Sequence, residues 1–174
     1  MKRGIVVAVL LIAAGAAWWL YGRGALGGSI DAGDVTMQWR GTYHGQLTLK
    51  GRVTWCPVTR VGILQAVSGD TGVMIVFYER DSLAAGPHPV AAPAQAPAAT
   101  RPTATAALRW LYSGKDTVLA AFRSETGSMQ VRRGPGTISG DLSARMRPMT
   151  GFDTLVVRGE FRDLPIVTTA VGCS

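Results

Sequence analysis

Residues 137–162 read TISGDLSARMRPMTGFDTLVVRGEFR, and their alternation decides the fold class. Ile138, Leu142, Ala144 and Met146 share one phase, and Ser139, Asp141, Ser143, Arg145 and Arg147 share the other. A period of two marks strands with one buried face. Leu155, Val157 and Phe161 repeat the pattern against Arg158, Glu160 and Arg162. Pro148-Met149-Thr150-Gly151-Phe152 between the two runs has the composition of a short hairpin loop.

The same period extends toward the amino terminus. Val35, Met37 and Trp39 alternate with Thr36, Gln38 and Arg40. After the turn Gly41–Gly45, the residues Leu47, Leu49, Val53 and Trp55 share a face, until Cys56-Pro57 ends the run. Strands follow over 60–67 and 72–80, joined by Ser68-Gly69-Asp70-Thr71. The second, GVMIVFYER, is apolar on both faces and belongs in the centre of a sheet. Further strands are expected over 105–112, 117–123, 128–133, 137–147 and 153–167. About nine strands with regular turns predict an all-β fold, an antiparallel β-sandwich or barrel. Between residues 83 and 105 prolines and alanines dominate, which predicts a disordered surface excursion of a single domain, 34–174.

Three segments, LKGRVTW (49–55), ISGDLSA (138–144) and VRGEFRD (157–163), carry a glycine on the apolar face. Glycine there permits a bulge or the close approach of a second strand. It could also open space for a flat ligand.

Ahead of the strands lies an uncharged run of nineteen residues, Gly4 to Gly22, GIVVAVLLIAAGAAWWLYG. As a helix it would span roughly 28 Å, close to the thickness of a bilayer core. Lys2 and Arg3 precede it, so the remainder of the chain is expected outside the cytoplasm, periplasmic or extracellular. Residues 1–22 read either as a retained signal anchor, with Trp18, Trp19 and Tyr21 at the outer interface, or as a signal peptide cleaved after small residues such as Ala14-Gly15-Ala16. Cleavage would leave a secreted domain. Residues 23–33, RGALGGSIDAG, form a small-residue linker.

The formal charge of the whole chain is +7. Past the run and its two leading cations, residues 23–174 hold sixteen basic and eleven acidic side chains. This surplus suits anionic lipid or an acidic envelope component. Nucleic acid is not expected, because the domain is exported and carries no dense Lys/Arg run. Cys56 and Cys173 in an oxidising compartment predict a disulfide that closes a loop of more than a hundred residues. Redox chemistry is not expected from cysteines outside a C-x-x-C pattern.

Asp70-Thr71-Gly72 resembles the Asp-Thr-Gly of aspartic proteases. The resemblance covers three to five residues and implies a homodimer in which two Asp70 carboxylates share a proton and activate water. Ser68-Gly69 stand where that family has apolar residues, and Gly-Asp-Thr-Gly is also a good hairpin turn. His44 and His88 stand apart from other ligand types, so neither a metal nor another cofactor is expected. The leading expectation is a non-enzymatic, membrane-tethered or secreted β-domain that contacts the membrane through residues 4–22 and binds another envelope component, a protein or anionic lipid. A carrier of lipid or of a small apolar ligand is the alternative, and the Asp70 protease is the third reading.

Overall fold

The computed structural model describes residues 32–113, 117–151, 153–169 and 173. The hydrophobic run and most of the linker lie outside the described residues. Contacts group residues 32–174 into one compact unit. It is all-β, with nine strands: β1 (Gly33–Gly41), β2 (Gly45–Cys56), β3 (Val61–Ser68), β4 (Thr71–Tyr78), β5 (Gly86–Ala91), β6 (Thr103–Ser113), β7 (Thr117–Gly134), β8 (Thr137–Pro148) and β9 (Leu155–Thr168). A single 3-10 turn, Ala96–Ala98, is the only helical element among the described residues.

Hydrogen bonding runs β1-β2-β3-β4-β6-β5-β7-β8-β9 and returns to β1 through the β1–β9 ladder. The clean alternation of the last two strands becomes a register in which Ala144 faces Val157 and Met146 faces Leu155. Their inward phase joins Val35, Met37, Trp39, Val53, Trp55, Ile75, Phe77 and Phe161 in one buried cluster. At one end, Trp110 stacks on Phe122 with centroids 5.3 Å apart, and Trp39 lies 4.7 Å from Trp110.

Three expectations need correction. The sheet is mixed rather than antiparallel. Its strand β9 is longer than β1 and overruns its end, so Ile166–Thr168 run parallel beside Val53–Trp55. Val90 likewise meets Ala104 in parallel. Next, the Pro/Ala-rich stretch 83–105 is not a disordered loop. Gly86–Ala91 forms β5, laid antiparallel on Gly127–Val131 and Thr126 of β7. Its prolines, Pro87 and Pro89, are exposed, while His88 and Val90 point inward. A strand tolerates proline where the missing N–H would have faced away from its ladder partner.

The third correction concerns β7. The two strands expected over 117–123 and 128–133 are one, bent by a bulge between Ser124 and Thr126. Before the bend β7 pairs with β6; after it, with β5. Ser124 stitches this junction. Its buried Oγ donates to the Ala91 carbonyl at 2.6 Å and accepts from the Ala106 N–H at 3.0 Å.

Two of the three repeated glycines show what the pattern is for. A Cβ on Gly140 would strike the Gln130 carbonyl and lie 2.5 Å from Phe161 Cζ; one on Gly159 would overlap the thioether of Met37. The inward space is therefore filled by neighbouring side chains. Gly140 also borders the β8–β9 register shift. We predict that Gly140→Ala lowers unfolding stability by about 1–3 kcal/mol, the usual range for overpacking a tight core, measured by urea denaturation. An unchanged midpoint would show that the Phe161 ring yields without cost.

Candidate interaction surface

Strand β4 is apolar in both phases, and the phases have different destinations. Val73, Ile75 and Phe77 enter the core, whereas Met74, Val76 and Tyr78 face outward. The double-sided run thus marks a strand with one buried face and one outer apolar face, not a strand buried on both.

Ladder registers extend that face sideways. Arg52 pairs with Gln65, Gln65 with Met74, Met74 with Ala107, Ala107 with Arg123, and Arg123 with Arg147. The next outward row runs Val67, Gly72, Arg109, Ala121, and the Met149 N–H donates to the Ala121 carbonyl at 2.9 Å. One row further, Leu111 faces Leu119. Val67, Met74, Leu111, Leu119 and Met149 are 42–67% exposed, and they make up five of the seven large apolar side chains so exposed among the described residues. Such clustering departs from the scattered exposure ordinary on a surface. Small residues at Gly72, Ala107 and Ala121 keep the floor low, leaving a shallow hollow of about 320 Å³.

The face is basic. Arg52 and Arg123 flank the row that carries Met74, and Arg109 stands inside the next row, between Gly72 and Ala121; all three are exposed and have no carboxylate partner among the described residues, while Arg145 and Arg147 share Glu125. Elsewhere some cations are matched, Lys50 2.8 Å from Asp34, Arg132 2.6 Å from Asp141 and Arg162 2.6 Å from Glu160, while Arg40 and Arg158 on the β1–β9 face are exposed without a carboxylate partner among the described residues. The Glu160 carboxylate, hydrogen-bonded to Arg162, raises that guanidinium's pKa above its ordinary value.

The residues singled out in the sequence lie in separate places. Asp70 is exposed in the two-residue β3–β4 turn behind Gly69, whose φ of 57° suits the first position of such a hairpin. His44 is exposed between β1 and β2. Cys56 and Cys173 form the expected disulfide, with Cα atoms 5.6 Å apart. Among the described residues no group of three His, Cys, Asp or Glu side chains is placed to hold a metal.

His88 does not stand alone. Its Nε2 lies 2.7 Å from Glu79 Oε1, with both side chains buried, and its Nδ1 lies 3.1 Å from the Gly86 carbonyl. A carbonyl only accepts, so Nδ1 carries a proton. The Ala84 N–H donates to the same Glu79 oxygen at 3.3 Å, and Phe77 meets the imidazole edge-on. A general base needs a ring nitrogen open to its substrate, and here both are engaged inside the fold. The pair is a latch. It fastens the 79–103 excursion, helped by Arg101, which donates to the Glu79 carbonyl at 2.8 Å, and by Arg133, which donates to the Leu83 carbonyl at 2.9 Å. Sequence reading missed this contact, although Glu79 continues the inward phase Val73, Ile75, Phe77 and so was due to be buried.

No helix among the described residues is long and apolar enough to cross a membrane. Compared with known protein families, with curated proteins and with solved structures, the chain matches none of them.

Proposed function

We propose that the protein is a non-enzymatic interaction domain, tethered to a membrane by residues 4–22 and exposed outside the cytoplasm, which binds an envelope component through the outer face of β3, β4, β6 and β7. The observation that carries this reading is the gathering of Val67, Met74, Leu111, Leu119 and Met149 on one face with Arg52, Arg109 and Arg123, which have no carboxylate partner among the described residues. The closed strand order supports reading the fold as a barrel, and the uncharged run Gly4 to Gly22 supports an anchor helix ahead of it. The disulfide fits an oxidising compartment.

A lipid or apolar-ligand carrier would need an open interior. The inward positions beside Gly140 and Gly159 hold Phe161 and Met37 instead, which favours a surface contact. The exposed turn position of Asp70 favours a hairpin role over a proton-sharing pair.

The test is photo-crosslinking in native membranes, with a photoreactive amino acid replacing Met74 or, as a control, Val156 on the outer face of β9. We expect covalent adducts from position 74 and none from 156. Adducts at neither position, or equally at both, would contradict the assignment of this face.

A further inference from the structure

We propose that the component which covers the β3–β4–β6–β7 face is the surface of an anionic phospholipid bilayer, an inference that rests on the tethered-domain reading above. Three observations converge on it. The first is charge complementarity. Arg52 and Arg123 flank the apolar cluster and Arg109 stands within it, all three without carboxylate partners among the described residues, and a guanidinium binds a phosphate oxygen pair through two parallel hydrogen bonds. The acids near this face offer little opposition. Glu125 is taken by Arg145 and Arg147, and Asp70 sits out on the β3–β4 turn.

The second is the nature of the apolar side chains. They are methionine and aliphatic residues on a shallow, small-residue floor, which suits partial insertion at the boundary of headgroups and acyl chains. The guanidinium groups would then lie at phosphate level, each reached by an aliphatic stem that runs over apolar neighbours.

The third is where the chain joins the sheet. Gly33 pairs with Gly51, Gly51 with Ala66, Ala66 with Val73 and Val73 with Leu108. That row runs between the two outward rows that carry Met74 and Val67. At about 4.8 Å per strand, Gly33 is roughly 14 Å around the sheet from β4. The eleven residues 23–33 reach at most about 40 Å when fully extended. A domain leashed this closely meets the bilayer at high effective concentration, so a weak face suffices to dock it.

The experiment uses the full-length chain reconstituted into phosphatidylcholine vesicles with or without phosphatidylglycerol. Nitroxide labels are placed through Met74→Cys, Val67→Cys or, as a control, Val156→Cys. Vesicle flotation reports the tether, and collision of each label with lipid-soluble oxygen against a water-soluble nickel chelate reports immersion. We expect the chain to float with both vesicle types. Labels at 74 and 67 should be immersed only when phosphatidylglycerol is present, while the label at 156 stays aqueous. Replacing Arg52, Arg109 and Arg123 together by glutamine should reduce the docked-to-free ratio roughly a hundredfold at low salt, about fivefold for each guanidinium.

If the chain floats but labels 74 and 67 stay aqueous in anionic vesicles, the docking inference is overturned and the tether stands. Equal immersion with and without phosphatidylglycerol would overturn the anionic recognition. Labels immobilised yet shielded from both collision partners would assign the face to a protein contact instead. Failure to float would overturn the tether and the docking together.

Discussion

Replacing Cys56 and Cys173 by serine should lower the stability of the domain by about 2–5 kcal/mol, the usual cost of losing a native disulfide from a small domain. The bridge spans 117 residues, nearly the whole described unit, so it removes a large share of the freedom of the unfolded chain. Its position adds a native-state reason. Cys56 is the last residue of β2, beside the short parallel contact of Val53–Trp55 with Ile166–Thr168. Beyond that contact the Thr169 N–H donates to the Trp55 carbonyl at 3.0 Å, and the bridge then clamps the end of the chain. Urea denaturation with and without reductant measures the effect. The reduced wild-type domain should unfold at the midpoint of the double serine variant. A loss below about 1 kcal/mol would mean that the β2–β9 contact holds the terminus unaided.

Removing one member of the buried pair should cost as much. Glu79→Ala or His88→Ala alone is expected to destabilise the fold by about 3–5 kcal/mol, because each leaves a buried ionisable partner without its hydrogen bond. The Glu79 side chain also accepts from Ala84, and His88 rests edge-on against Phe77, so packing and polar satisfaction fail together. Both losses fall on the 79–103 excursion and should free β5 from β7. Replacing the pair jointly by apolar residues of similar volume, Glu79→Met with His88→Phe, should recover most of the loss, since neither then strands a charge. The double-mutant cycle is the measurement. Strictly additive losses would contradict a coupled latch.

The periodic parts of this fold were legible in the sequence. Strands β8 and β9 alternate cleanly because each buries one face, so their register follows from the positions of Leu142, Ala144, Val157 and Phe161. Cys56 and Cys173 were readable as a pair because they are the chain's two cysteines and the expected oxidising compartment would join them. What escaped was non-local. Proline and alanine in 83–105 signalled a segment unable to build a core by itself, which is correct locally. That segment becomes a strand because Glu79, Arg101, Arg133 and β7 receive it. The bend at Ser124–Thr126 read as a turn because polar residues and Gly127 follow one another there, whereas they serve a bulge at which β7 exchanges neighbours.

The interaction surface was half visible. A strand apolar in both phases, such as β4, implies either burial on both faces or an outward apolar patch, and the sequence placed it at the centre of a sheet without deciding between them. The decision depends on what lies over Met74, and ladder pairings rather than periodicity place Val67, Ala107 and Ala121 beside it. The arginines have the same origin. Arg52 comes from β2, and Arg109 and Arg123 from β6 and β7, each alone among other residue types, so no run of basic residues announced them.

The most direct test of the account is an intact mass spectrum of the full-length protein, gently extracted from its own membranes. The account predicts a chain that retains residues 1–22, lacks the two thiol hydrogens of Cys56 and Cys173, and carries an anionic phospholipid. That lipid should be lost when Met74 and Arg109 are replaced by aspartate and glutamate. A chain cleaved ahead of the domain, recovered without lipid from the soluble fraction, would contradict it.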